Sequence, residues 1–135
     1  MYLSMLSNEK RHLFLELEIY MSRIDGDFSE EEKMIIDTHC LEMHIDNNDY
    51  ECDYPLDTVL SKISNEFTKQ EKHIAFLELV ATVLADNAFH KSEQVLIDRL
   101  SDLFSISDTE VKTAIDLIKK MKEAYEGCAD FVKED

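Results

Sequence analysis

Glycine and proline are nearly absent from this chain: Gly26, Gly127 and Pro55 are the only ones in 135 residues. Tight hairpins depend on these residues for positive φ and for turn geometry, so many short strands cannot be closed from this composition. Glycine-built reaction signatures fall with them. A Walker A loop needs two glycines five apart, a dinucleotide fingerprint needs three, and a nucleophile elbow needs two flanking a serine. What remains is helix. A chain of this length buries roughly 68% of its unfolded surface, enough for one core without disulfide or metal staples. Hydrophobic residues at 44% and charged residues at 33% place it outside the disordered and membrane-spanning classes.

Apolar residues recur at three and four positions along most of the chain. Leu13, Leu17, Tyr20 and Ile24, with Phe14 and Met21 alongside, predict a first helix that ends at Asp25-Gly26-Asp27. Ser29 and Glu32 form a capping box for a second helix, with Met34, Ile35, Thr38, Leu41 and Ile45 as its expected inner face. After an acidic loop over 46–54, Pro55 suits the first turn of a third helix carrying Leu56, Val59, Leu60 and Ile63. Thr68 and Glu71 open a fourth, whose only polar residues from Ile74 to Ala85 are Glu78 and Thr82; it is expected at the buried centre. A corner at Asp86-Asn87 leads to a fifth helix with Val95, Leu96, Leu100, Leu103 and Phe104. Ser107 and Glu110 cap the last, through Val111, Ile115, Ile118, Met121 and Tyr125, with Gly127 as its stop signal. The expectation is an all-α, single-domain helical bundle of six to seven helices, spanning residues 1–135, with no linker.

Thirty acids against fourteen bases give a formal net charge of −16. Between Glu16 and Asp57 fourteen acids face only Arg23 and Lys33, a local net of −12. Such a surface repels nucleic acid and anionic membrane and favours cations or a basic protein partner. Cys40, Cys52 and Cys128 make an odd count without a C-x-x-C pair, which fits reduced thiols rather than a disulfide framework. With no signal-like start and no run of about 18 apolar residues, a cytoplasmic protein without membrane insertion is expected.

A repeat at an offset of 61 residues organises the chain. Asp25-Gly26-Asp27-Phe28 followed by Glu32 matches Asp86-Asn87-Ala88-Phe89 followed by Glu93; Ile36 aligns with Ile97 and Asp37 with Asp98. Residues 13–45 and 74–104 thus read as two similar helical hairpins, each bent at an acidic corner. This twice-repeated pattern, an apolar helix, an acidic corner, an aromatic residue and a Glu opening a new helix, resembles the TerB-like domain of tellurite-resistance proteins. The resemblance implies an all-helical bundle of two similar halves. It also implies a non-enzymatic, stress-response module that binds a divalent metal ion or a protein partner. Its metal-binding acids, carried over by motif, are Asp25, Glu32, Asp86 and Glu93.

Carboxylate oxygens are hard ligands, and a pair of such corners suits Ca²⁺, Mg²⁺ or Mn²⁺. The same residues have a structural use. Glu32 and Glu93 complete N-terminal caps and oppose helix dipoles, and Asp25 and Asp86 end helices. Cys40 and His44, four apart on one face and followed by Cys52, are of the right ligand type for zinc but do not make four ligands. The five histidines, scattered over the chain, give no nucleophile–base spacing, so no catalytic or organic-cofactor residue is assigned. The alternative to the metal reading is a metal-independent, immunity-type inhibitor or interaction protein that covers a basic surface by charge complementarity.

Overall fold

A computed structural model describes residues 1–24, 29–46, 50–84 and 91–133. Six helices make up nearly all of it: α1 (Asn8–Arg23), α2 (Glu30–Met43), α3 (Leu56–Glu66), α4 (Lys69–Val83), α5 (Lys91–Leu103) and α6 (Asp108–Lys133). A 3-10 turn at Leu3–Met5 precedes them, and no strand occurs among the described residues. All three capping boxes form. Ser29, Thr68 and Ser107 each accept from the backbone N–H three residues on, while Glu32, Glu71 and Glu110 accept from the backbone N–H of the cap. Local chemistry alone therefore starts half of the helices.

The centre is shared. α1 packs against α2, α3 and α4, and α4 also packs against α2, α5 and α6. Leu13, Phe14, Leu17 and Met21 from α1 meet Ala75, Phe76, Leu79 and Val83 from α4 in one core, with Val59, Leu60, Ile63, Ile97, Leu100 and Phe104 around them. α4 was expected to be the most buried element; α1 buries as much of its length, because both carry buried glutamates as well as apolar residues.

Two other expectations are corrected. On α2, Met34 and Leu41 are exposed, and the inner face is Glu32, Ile36, His39, Cys40 and Met43. The buried set includes a histidine and an acid, which hydrophobic periodicity does not register. On α6, Gly127 stops nothing, since the helix runs on to Lys133. One interior glycine costs about 1 kcal/mol, too little to end a long helix.

The helices recur with the sequence offset. α1 and α4 begin at Asn8 and Lys69, α2 and α5 at Glu30 and Lys91. Paired positions share burial: Glu32 with Glu93, Ile36 with Ile97, Cys40 with Ser101, and Met43 with Phe104. Both second helices also end alike. His44 and Ser105 adopt left-handed backbone, at φ 59° and 57°. The next N–H in each case bonds back over five residues, Ile45 to the Cys40 carbonyl and Ile106 to that of Ser101. This is the glycine-type helix stop made without glycine. Ser105→Gly should therefore raise stability by about 0.5–1 kcal/mol, read by urea denaturation, because glycine meets no side-chain penalty at positive φ. An unchanged or lower midpoint would contradict that assignment. The expected equivalence of Phe28 and Phe89 lies outside the described residues.

Candidate functional site

The two central helices each carry a glutamate into the core. Glu18 on α1 is 0% exposed and Glu78 on α4 is 1% exposed. Between them α2 inserts His39, whose ring lies 5.9 Å from that of Phe14. His39 Nδ1 is 2.6 Å from Glu18 Oε2, and Nε2 is 3.2 Å from Glu78 Oε2. A neutral imidazole donates from one nitrogen only, so a ring with a carboxylate on each side is an imidazolium donating from both. Burial pulls the His39 pKa down, but the hydrogen bonds and charges of Glu18 and Glu78 outweigh it and raise it to about 9. Burial pushes Glu78 up, and here too its partners prevail: His39, the amino group of Met1 and the Tyr2 N–H hold it down at about 2.

The network reaches the surface at one end. The Met1 amino group lies 2.8 Å from Glu78 Oε1 and 2.9 Å from Glu42 Oε1, and the N–H groups of Tyr2 and Leu3 donate to Glu78 and Glu42. At the other end, Thr82 Oγ1 donates to Glu18 Oε2 over 2.7 Å. Glu18 Oε1 and, one turn further along α1, Ser22 Oγ are buried without a hydrogen-bond partner among the described residues. A second buried acid of α1, Glu16, accepts from the Tyr54 N–H at 3.0 Å and ties the loop before α3 to the core. Chemically the network is an anchor for helices. No serine or cysteine nucleophile touches His39 among its described partners, and both ring nitrogens are occupied by carboxylates.

The sequence-predicted acids fare differently. Glu32 and Glu93 are both buried, each in the first turn of the helix that opens the second part of its half. Glu32 Oε1 accepts from the Ser29 N–H at 2.9 Å, so the cap is real. Asp25 and Asp86 lie outside the described residues. Among the described residues no group of three or more His, Cys, Asp or Glu side chains could hold a metal ion. The zinc candidates do not converge: Cys40 is buried, whereas His44 is the exposed left-handed cap of α2. Cys52 points its thiol at the Glu16 carbonyl, 3.6 Å away. The acidic count between Glu16 and Asp57 is thus not all surface, since Glu16, Glu18 and Glu32 are interior acceptors. Sequence reasoning missed His39, Glu18 and Glu78. For the two acids the signal was a charge inside an apolar run, Glu18 between Leu17 and Ile19 and Glu78 between Leu77 and Leu79; His39 carried none.

The family model described as "Tellurite resistance protein TerB" matches residues 55–122, half of the chain. Among solved structures, a tellurite resistance protein from Nostoc punctiforme PCC 73102 superposes with a TM-score of 0.71 at 17% identity, covering 95% of this chain and 82% of its own. At that identity the likeness speaks for the fold. No curated protein matches the chain. No helix among the described residues is long and apolar enough to cross a membrane.

Proposed function

The chain belongs to the TerB family of tellurite resistance proteins, and from that membership we propose that it is a non-enzymatic stress-response module that binds a divalent cation through its acidic helix corners. The observation that carries this reading is the shared position and burial of Glu32 and Glu93, 61 residues apart, each seven residues after a corner aspartate. Buried carboxylates are paired, hydrogen-bonded or metal-bound, because burying a bare charge is costly. Their oxygens, with those of Asp25 and Asp86, are donors for Ca²⁺, Mg²⁺ or Mn²⁺.

Calorimetric titration and thermal melts test the reading. With one of these cations at a hundred times its Kd, the folded state should gain about 2.7 kcal/mol by mass action. The Asp25→Asn/Asp86→Asn variant should lose that gain and be more stable than the wild type without cation, because like-charge repulsion is relieved. No saturable heat and no cation-dependent midpoint would end it.

One observation favours a second reading, a metal-independent acidic module for a basic protein partner: the Glu32 carboxylate is already committed to the Ser29 cap. That association should fade as salt rises, since exposed charges interact over about 8 Å at physiological ionic strength. It should also ignore EDTA.

A further inference from the structure

Glu16, the buried acid of α1 outside the histidine network, is only half used. It is 7% exposed, and its Oε1 accepts from the Tyr54 N–H at 3.0 Å. No hydrogen bond or ion pair among the described residues uses its Oε2. A buried carboxylate left short of donors is costly. This one borders a cavity of about 170 Å³ between α1, the loop before α3 and α3 itself. Glu9, His12, Leu13 and Glu16 form the α1 wall, a stripe whose spacing sets them on one helix face. Asp53, Tyr54 and Lys62 close the other side. The loop is pinned there by three bonds. The Tyr54 N–H donates to Glu16, the Tyr20 hydroxyl donates to the Tyr54 carbonyl at 2.6 Å, and the Cys52 thiol lies 3.6 Å from the Glu16 carbonyl. The cavity is therefore preformed, which lowers the ordering cost of binding.

Its lining states the chemistry of an occupant. Three carboxylates, Glu9, Glu16 and Asp53, stand against one ammonium, Lys62, so the lining is net negative whichever form His12 takes. Leu13, 3% exposed, supplies an apolar floor and Tyr54 an aromatic wall. That ring already receives a cation: Lys62 Nζ lies 5.2 Å from its centroid, while the ion pair of Lys62 is a loose one with Glu66 at 3.9 Å. A cavity of about 150 Å³ holds a benzene ring, so a flat cation with its last methylenes fits here. Guanidinium suits the site better than ammonium, because it stacks on an aromatic face and donates to carboxylates in its own plane.

We propose that this cavity takes the guanidinium of an arginine on a basic protein partner, stacked on Tyr54 in place of the Lys62 ammonium and donating to Glu16 Oε2. Glu9 and Asp53, both exposed, stand at the rim for its remaining N–H groups. The site rests on the reading of the chain as a metal-independent acidic module and gives that module a specific anchor.

Amide NMR of the full chain tests it, with Nα-acetyl-arginine amide as the probe and the citrulline amide as its neutral isostere. A single side chain binds weakly, so the titration runs from about 0.1 to about 100 mM. Saturable shifts are expected around Leu13, Glu16 and Tyr54 with the arginine amide and none with the citrulline amide. Glu16→Gln keeps an acceptor for the Tyr54 N–H but no charge, and should weaken binding about tenfold. Asp53→Asn, at an exposed position, should weaken it without touching the core. Lys62→Met clears the ring and should tighten it. No saturable shift, equal response to citrulline, shifts spread evenly over the acidic surface, or Glu16→Gln binding like the wild type would each overturn the site. An arginine-rich peptide separates this site from the broader reading. If it binds wild type and Glu16→Gln alike, the pocket falls and the acidic module stands; if it does not bind at all, both fall.

Discussion

Replacing His39 with leucine should cost about 3–5 kcal/mol, a large share of the roughly 5–15 kcal/mol that holds a domain together. The imidazolium is the only described cation between Glu18 and Glu78. Without it two buried carboxylates face each other, one of them with an oxygen that already has no partner among the described residues. The molecule itself suggests the rescue. Offset by 61 residues, His39 corresponds to Leu100, Glu18 to Leu79 and Glu78 to Leu17, all three leucines fully buried. Each half thus builds with leucine what the other builds with charge. Complete replacement of a buried charged triad by apolar residues is often neutral or stabilising. The variant Glu18→Leu/His39→Leu/Glu78→Leu should therefore recover most of the loss. Part of the deficit should persist, because Glu78 also accepts from Met1 and Tyr2. Urea denaturation of the two variants decides the matter. A His39→Leu cost below about 1 kcal/mol would show that the network is peripheral to stability.

The same residues mark the border of what the sequence revealed. Capping boxes are set by three or four neighbouring residues, and Ser29–Glu32, Thr68–Glu71 and Ser107–Glu110 were legible for that reason. Helices with ordinary apolar faces were legible too: Val59, Leu60 and Ile63 on α3 are buried as their spacing requires. α2 was misread because its interior face is defined by partners on other helices. His39 is buried only because Glu18 and Glu78, 21 positions before and 39 after it, arrive on both sides. Hydropathy along one helix carries no trace of that convergence. Gly127 was misread for a different reason: the cost of about 1 kcal/mol for one interior glycine is spread over a helix of 26 residues and does not end it. Of the candidate site, the family and the two buried glutamates at the helix starts were readable. The charged core beneath them was not.

The charged core should write itself into the pH dependence of stability. His39 is raised from 6.5 to about 9 in the folded chain, so the folded state holds this proton more tightly than the unfolded state. Its contribution is complete below pH 6.5 and is lost as pH rises through about 9. At 1.36 kcal/mol per unit, the loss over that interval is about 3 kcal/mol. Glu78 works in the opposite sense. Its pKa falls from 4.5 to about 2, so its contribution is present above pH 4.5 and disappears as pH drops through about 2. The network is therefore at full strength between about pH 4.5 and 6.5. Burial lowers the amino group of Met1, but Glu78 and Glu42 outweigh it and raise its pKa, so it adds to the alkaline loss. Denaturation from pH 6 to pH 10 should give falling stability for the wild type. The curve should be much flatter for Glu18→Leu/His39→Leu/Glu78→Leu, which removes His39 and one partner of the amine together. Imidazole NMR separates the two contributions, since His39 should still be protonated at pH 8 while an exposed histidine is neutral. A His39 resonance titrating near pH 6.5 would mean that the two carboxylates do not hold the imidazolium, and the stability argument built on it would fail.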